Sequence, residues 1–198
     1  MRIESAEYNY EFTLWGRFKS GDREAFSEIY HTYAEVLYNY GFHISDRHDL
    51  IEDAIQDLFV VLWQSRESIS NTTSIKYYLF RSLRRHIVKL MQKNRHFDSF
   101  ENTAYPEAFS AIPSFEMELI ISETEERQWK DLKMALEELK PRQLEAIRLH
   151  FFEGFDLKKV ALIMEMNEQS VRNLLQRAFH KLRQWMLLLP VLFCFLWG

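Results

Sequence analysis

The sequence predicts an all-α protein of two small helical domains joined by a linker, the second domain containing a helix-turn-helix. Three observations predict it. Apolar residues recur at three- and four-residue steps through most of the 198 residues. Only five Gly and four Pro interrupt the chain, which favours long helices over a turn-rich β protein. Between Asn94 and Phe115 the period vanishes, leaving two Pro and a scatter of Ser, Asn and Ala, the mark of a linker. The expected boundaries are 1–95 for the first domain, 96–115 for the linker, 116–184 for the second domain and 185–198 for an apolar tail.

In the first domain, Asp22 is placed to cap a helix in which Phe26, Ile29, Tyr30, Tyr33, Leu37 and Tyr40 face inward, with Gly41 at or near its end. A second helix, Asp46 to Gln64, turns Ile51, Ala54, Ile55, Leu58, Phe59 and Leu62 inward and leaves Glu52, Asp53, Gln56 and Asp57 as an acidic and amide face. Ser65 to Thr73 lacks periodicity and is expected to be a loop. The third helix, Ser74 to Lys93, buries Ile75, Leu79, Leu83, Ile87 and Leu90 and exposes Lys76, Arg81, Arg84, Arg85 and Lys89. One of Tyr77 and Tyr78 is expected to be buried with Leu79.

In the second domain, Glu116 to Leu139 is amphipathic, Pro141 suits the first turn of the next helix and Gly154 suits its end. Asp156 to Gln184 then divides into two short helices around a tight turn. Leu157, Val160, Ala161 and Met164 form one apolar stripe; Val171, Leu174, Leu175, Ala178 and Leu182 form the other. Gln169, Ser170, Arg172, Asn173, Gln176, Arg177 and Lys181 are left outside. That is the arrangement by which a helix-turn-helix enters a DNA major groove; an amphipathic hairpin with a solvated basic face is the alternative.

The net charge of -4 conceals blocks of opposite sign. Residues 1–75 carry 13 acidic and six basic side chains, whereas Lys76 to Phe97 holds seven Lys or Arg and no acid. From Asp98 to Glu138 there are 11 acids against three bases; the last 60 residues hold nine bases against five acids. Two basic islands on helices point to an extended polyanion as partner.

No catalytic constellation competes, so no enzyme, cofactor, metal or small-molecule substrate is expected. A Gly-rich phosphate loop is missing, and Cys194 stands alone in apolar surroundings, which fits a reducing cytoplasm. The His43–Asp49 segment reads as a capping loop between helices, not a metal site. The amino-terminal residues show no apolar run of the secretory kind. Trp185 to Trp197 is apolar but shorter than a membrane span and broken by Pro190, so it either folds back on its domain or docks a partner.

Two segments follow in order: AFSEIYHTYAEVLY with IEDAIQDLFVVLW and SIKYYLFRSLRRHIVKL, then LKPRQLEAIRLHFFEGFDLKKVALIMEMNEQSVRNLLQRAFHKL. Together they resemble the extracytoplasmic-function sigma factors of bacterial RNA polymerase. The chain departs from the family pattern at Tyr78, where Trp is usual, at Arg85, where Asn is common, and at Glu165, which replaces a turn Gly. The resemblance implies a dissociable subunit with core RNA polymerase and promoter DNA as partners, and a membrane-associated anti-sigma factor as a third. It implies that Glu52, Asp53, Gln56 and Asp57 dock on core polymerase. Lys76, Tyr77, Tyr78, Arg81, Arg84 and Arg85 would then hold the melted start-proximal (minus ten) element. Gln169, Ser170, Arg172 and Asn173 would lie nearest the bases of the upstream (minus thirty-five) element, with Gln176, Arg177 and Lys181 on its backbone. A stand-alone helix-turn-helix regulator is the alternative, though it would not need the basic, aromatic-bearing helix from Lys76; a helical adaptor would need neither island.

Overall fold

The computed structural model describes residues 2–95, 136 and 139–185. The expected linker at 96–115, most of the helix at 116–139 and the tail beyond Trp185 lie outside the described residues. Among the described residues all regular structure is helical: α1 (Arg2–Lys19), α2 (Arg23–Gly41), α3 (His48–Ser65), α4 (Ile75–Arg95), α5 (Pro141–Ile147), α6 (Leu157–Ile163) and α7 (Glu168–Trp185). The chain divides into two compact units, Met1–Ala108 and Phe109–Gly198.

In the first unit, α1 is a helix that the periodicity does not announce. It buries Leu14, Trp15 and Phe18 within its last turn and a half, and Gly21, at φ 90°, turns the chain into α2. Asp22 caps α2 as expected, accepting from the Glu24 and Ala25 N–H groups at 2.9 and 3.2 Å. The Ala25 N–H, together with the Arg17 guanidinium 2.8 Å away, holds the Asp22 carboxyl below its ordinary pKa.

Helix α2 packs on α1, α3 and α4, and α3 packs on α4. Gly41 does not end α2 by adopting a positive φ; it lets the two helices approach, since a Cβ there would lie 2.5 Å from Ile51 Cγ2. The connection to α3 is ordered by rings: Phe42 meets His48 edge-on at 4.6 Å, and the Tyr38 hydroxyl lies 3.2 Å from His48 Nδ1. All six apolar residues expected inside α3 are buried.

Several expectations need correction, and Phe26 and Tyr33, expected inside, are half-buried. Tyr30 is 43% exposed and touches Phe59 edge-on instead of entering the core. Neither Tyr77 nor Tyr78 is fully buried, and Leu90 is half-buried. Arg84, expected outside, is only 6% exposed, while Phe80 joins Ile75, Leu79, Leu83 and Ile87 in the core. Because α4 packs against both α2 and α3, its inward arc is wider than the single stripe that the apolar spacing indicates, and Arg84 falls within it.

In the second unit, α5 opens on Pro141 with Lys140 at the cap; the Lys140 N–H donates to Gln143 Oε1 at 3.0 Å. A π turn, Arg148–Phe152, prolongs α5. It is closed by Arg148 Nε donating to the buried Glu153 carboxylate at 2.8 Å and released by Gly154 at φ 72°. Asp156 caps α6, accepting from the Lys159 N–H at 2.7 Å. Both α5 and α6 pack on α7. Ile163 is buried where the expected stripe omits it, while Leu157 and Leu174 are half-buried.

Candidate nucleic-acid interface

Helix α7 has a clean division of faces. Val171, Leu175, Ala178 and Leu182 are buried, while Gln169, Arg172, Asn173, Gln176 and Arg177 are exposed; Ser170 and Lys181 are half-buried at the margin. The helix begins where the Asn167 side chain accepts the Ser170 N–H at 2.7 Å. Within the exposed first turns Gln169 Nε2 donates to Asn173 Oδ1 at 3.1 Å. The pair therefore keeps an acceptor on Gln169 and donors on Asn173, opposite hydrogen-bonding edges one turn apart. Arg172 lies 3.8 Å from Glu168, one turn behind it. That acid sits in the first turn of α7.

In the first unit the basic face of α4 starts directly after a built loop. Ser74 Oγ accepts the Tyr77 N–H at 3.3 Å at the head of α4, and Thr72 Oγ1 bonds Ser74 on both sides. Arg66 spreads its guanidinium over the Trp63 ring, 4.7 Å from its centre. Lys76 sits over Phe80 at 5.8 Å, and Arg81 donates weakly to the Tyr77 hydroxyl at 3.4 Å. Lys76, Tyr77, Tyr78 and Arg81 are half-buried and Arg85 is exposed; Arg84, as noted, is inside.

On α3, Glu52, Asp53, Gln56 and Asp57 are all exposed and follow one face at helical steps. Val60 and Val61, 52% and 48% exposed, continue past them towards the end of the helix. Across to α4, His86 has its pKa lowered, chiefly by burial; the Asp57 charge opposes that shift and Lys89 adds to it.

Sequence reasoning missed the contribution of α1. Trp15 Nε1 donates to the Ser70 carbonyl at 3.3 Å, and Lys19 Nζ donates to Asn71 Oδ1 at 2.9 Å. The Trp15 ring also meets Tyr78 at 5.3 Å, so α1 touches both the loop and the first turn of α4.

A family model described as Sigma-70 region 2 matches residues 29–97, and one described as Sigma-70, region 4 matches residues 129–182. The chain belongs to the sigma-70 family of RNA polymerase sigma factors, with the two-region make-up of the extracytoplasmic-function type. Among solved structures, this sigma factor is similar to the sigma factor RpoE of Bartonella quintana, solved with the anti-sigma factor NepR. The two share 23% identity over 83% of this chain and 98% of that one, with a TM-score of 0.59. It is also similar to CnrH, solved with the cytosolic domain of CnrY, at 16% identity over 88% and 96% of the two chains and a TM-score of 0.57. At these identities the likeness speaks for the fold. A comparison with curated protein sequences returned no match. No helix among the described residues is long and apolar enough to cross a membrane.

Proposed function

We propose that this sigma factor binds core RNA polymerase through the acidic face of α3, reads the upstream element as duplex with α7, and melts the start-proximal element against α4. One observation carries the melting step. A helix free of acid in its outward-facing half, with two half-buried tyrosines in its first turn, follows directly on an ordered loop. Opening stacked DNA costs on the order of 1 to 2 kcal/mol per step, and a surface that recovers it must offer flat faces to unstacked bases and cations to the strand. Tyr77 and Tyr78 are the flat faces; Lys76, Arg81 and Arg85 are the cations. A duplex-only reader has no use for that combination.

Glu52, Asp53, Gln56 and Asp57 suit an Arg-rich partner helix, because carboxylates and amides accept guanidinium donors in pairs. On α7, Gln169, Ser170, Arg172 and Asn173 are the base-reading set and Gln176, Arg177 and Lys181 the backbone-holding set. The RpoE structure holds a sigma factor together with an anti-sigma factor, which supports an anti-sigma factor as this chain's third partner.

The test is transcription with purified core enzyme on a promoter selected from genomic fragments. Core enzyme plus this chain should initiate at the promoter and render the start-proximal bases reactive to permanganate. Promoter binding by the chain alone, with no stimulation of initiation by core enzyme, would overturn the proposal.

A further inference from the structure

We propose that residues 191–198 fold back along α7 and cover an aromatic patch that Phe151 and Phe179 form on the second unit. The patch is a docking surface, and the apolar end of the same chain is its occupant.

The patch is built from two elements. Phe151 lies in the π turn that prolongs α5, and Phe179 lies in the second half of α7. Their rings meet edge to face, with centroids 5.4 Å apart and planes at 88°. A third ring steadies the first: His150 stands edge-on to Phe151 at 4.7 Å, and its Nδ1 donates to the Phe155 carbonyl at 2.7 Å. The pair is thus held in place before anything docks on it, which lowers the entropy lost on docking. Yet Phe151 and Phe179 are 49% and 46% exposed. Single exposed apolar residues are ordinary on a surface, whereas two abutting aromatic rings from different elements make a contiguous patch of the kind that receives a partner.

Reach, composition and tethering name the occupant. From Trp185, the last residue of α7, the chain continues into residues 186–198, which carry no charged side chain. Pro190 stops a helix and permits a reversal there. Even were α7 to run on to Pro190, Phe179 would lie only about 17 Å back along its axis, and residues 191–198 span about 26 Å when extended. Alternate residues of an extended segment share a side, so Phe193, Phe195 and Trp197 would lie together on the patch, with Leu192, Cys194 and Leu196 turned away. A short tether also presents its segment at an effective concentration on the order of millimolar, which an untethered apolar partner has to match.

The experiment uses the full chain, whose one cysteine is Cys194. A nitroxide attached there should broaden the ring resonances of His150, Phe151 and Phe179. Isotope-enriched chain without nitroxide, mixed with labelled unenriched chain, should show no broadening. Phe195→Ser with Trp197→Ser, which leaves the helical domain untouched, should abolish the effect at all three rings. Phe151→Ala with Phe179→Ala should abolish it at His150 while the α7 amides keep their protection from exchange. Deleting residues 191–198 should shift the Phe151 and Phe179 resonances. Broadening in the mixed sample would assign the patch to a second copy, and unmoved resonances on deletion would leave it to another segment, such as residues 116–138. Either result would overturn the inference, as would broadening that misses Phe151 and Phe179 or that survives the tail substitutions.

Discussion

The Met166 N–H donates to the Ala161 carbonyl at 2.9 Å across the turn of the helix-turn-helix, and closing that ring holds Glu165 at φ 53°. A six-residue return of this kind is how a helix satisfies its last carbonyls while reversing direction, and it requires a left-handed residue just past the cap. Among the described residues Glu165 is the only one other than glycine with a positive φ. A side chain carrying Cβ is strained there.

Relief of that strain should be measurable. Glu165→Gly should stabilise the second unit by roughly 0.5 to 1 kcal/mol, the difference between the left-handed penalty and the added freedom of the unfolded chain. Glu165→Val, branched at Cβ, should destabilise it by about 1 kcal/mol or more. Hydrogen exchange of the α6 and α7 amides reports both changes; equal protection in the two variants would refute the account.

On α7, Arg172→Ala should relax base preference at one upstream position by about 1 to 3 kcal/mol. Arg177→Ala should weaken all duplexes alike and lower the salt slope by about one unit. Titrations of cognate and random duplex at several salt concentrations separate the two, and identical losses on both DNAs for both variants would sink the division of roles.

Burial separates the neighbouring arginines of α4. Arg84→Ala should cost the first unit roughly 1 to 3 kcal/mol, since it removes a buried charged side chain and strands the groups that it contacts. Arg85→Ala should leave stability within about 0.5 kcal/mol while slowing promoter opening. Urea unfolding together with permanganate footprinting decides; the reverse pattern would move Arg84 back to the surface.

Gly41→Ala should destabilise the first unit by about 1 to 3 kcal/mol, because a methyl 2.5 Å from Ile51 Cγ2 forces α2 and α3 apart. Pairing it with Ile51→Ala, which removes the opposing Cγ2, should cost less than the two single losses added together. Strictly additive losses would argue against the clash.

The pH dependence of stability should carry a signature of His86. Its folded pKa lies below the ordinary 6.5 because burial disfavours the imidazolium, with Asp57 opposing and Lys89 assisting. As pH falls through 6.5 the unfolded chain takes up a proton that the folded chain resists, so stability drops, and the loss levels off once the folded state titrates too. The urea midpoint of His86→Gln should decline less steeply than that of the wild type over this window. Parallel declines would exclude His86 as the cause.

The helices with long single stripes were legible in the sequence. The six apolar positions of α3 and the inner face of α7 repeat often enough to define a direction. Helix α1 escaped because its buried residues, Leu14, Trp15 and Phe18, occupy only its last turns, while Tyr10 and Phe12 nearby are exposed and blur the period. Arg84 was misplaced because a charge adjacent to an apolar stripe looks solvated until a second neighbouring helix is known. The exposed residues of α3 and α7 could be named from spacing alone. The brace from α1 to the loop could not, since nothing in a sequence signals that Trp15 and Lys19 meet residues about 50 positions away.

That separation has a consequence during synthesis. Trp15 leaves the ribosome 55 residues before the carbonyl to which its indole donates. At about 5 to 20 residues per second, roughly 3 to 10 s pass before Ser70 follows it. Through that interval α2 can already pack against α1, but the aromatic edge facing the loop has nothing to close on. The loop is thus set in place only after α2 and α3 have followed α1, and it meets the first turn of α4 as soon as that turn emerges.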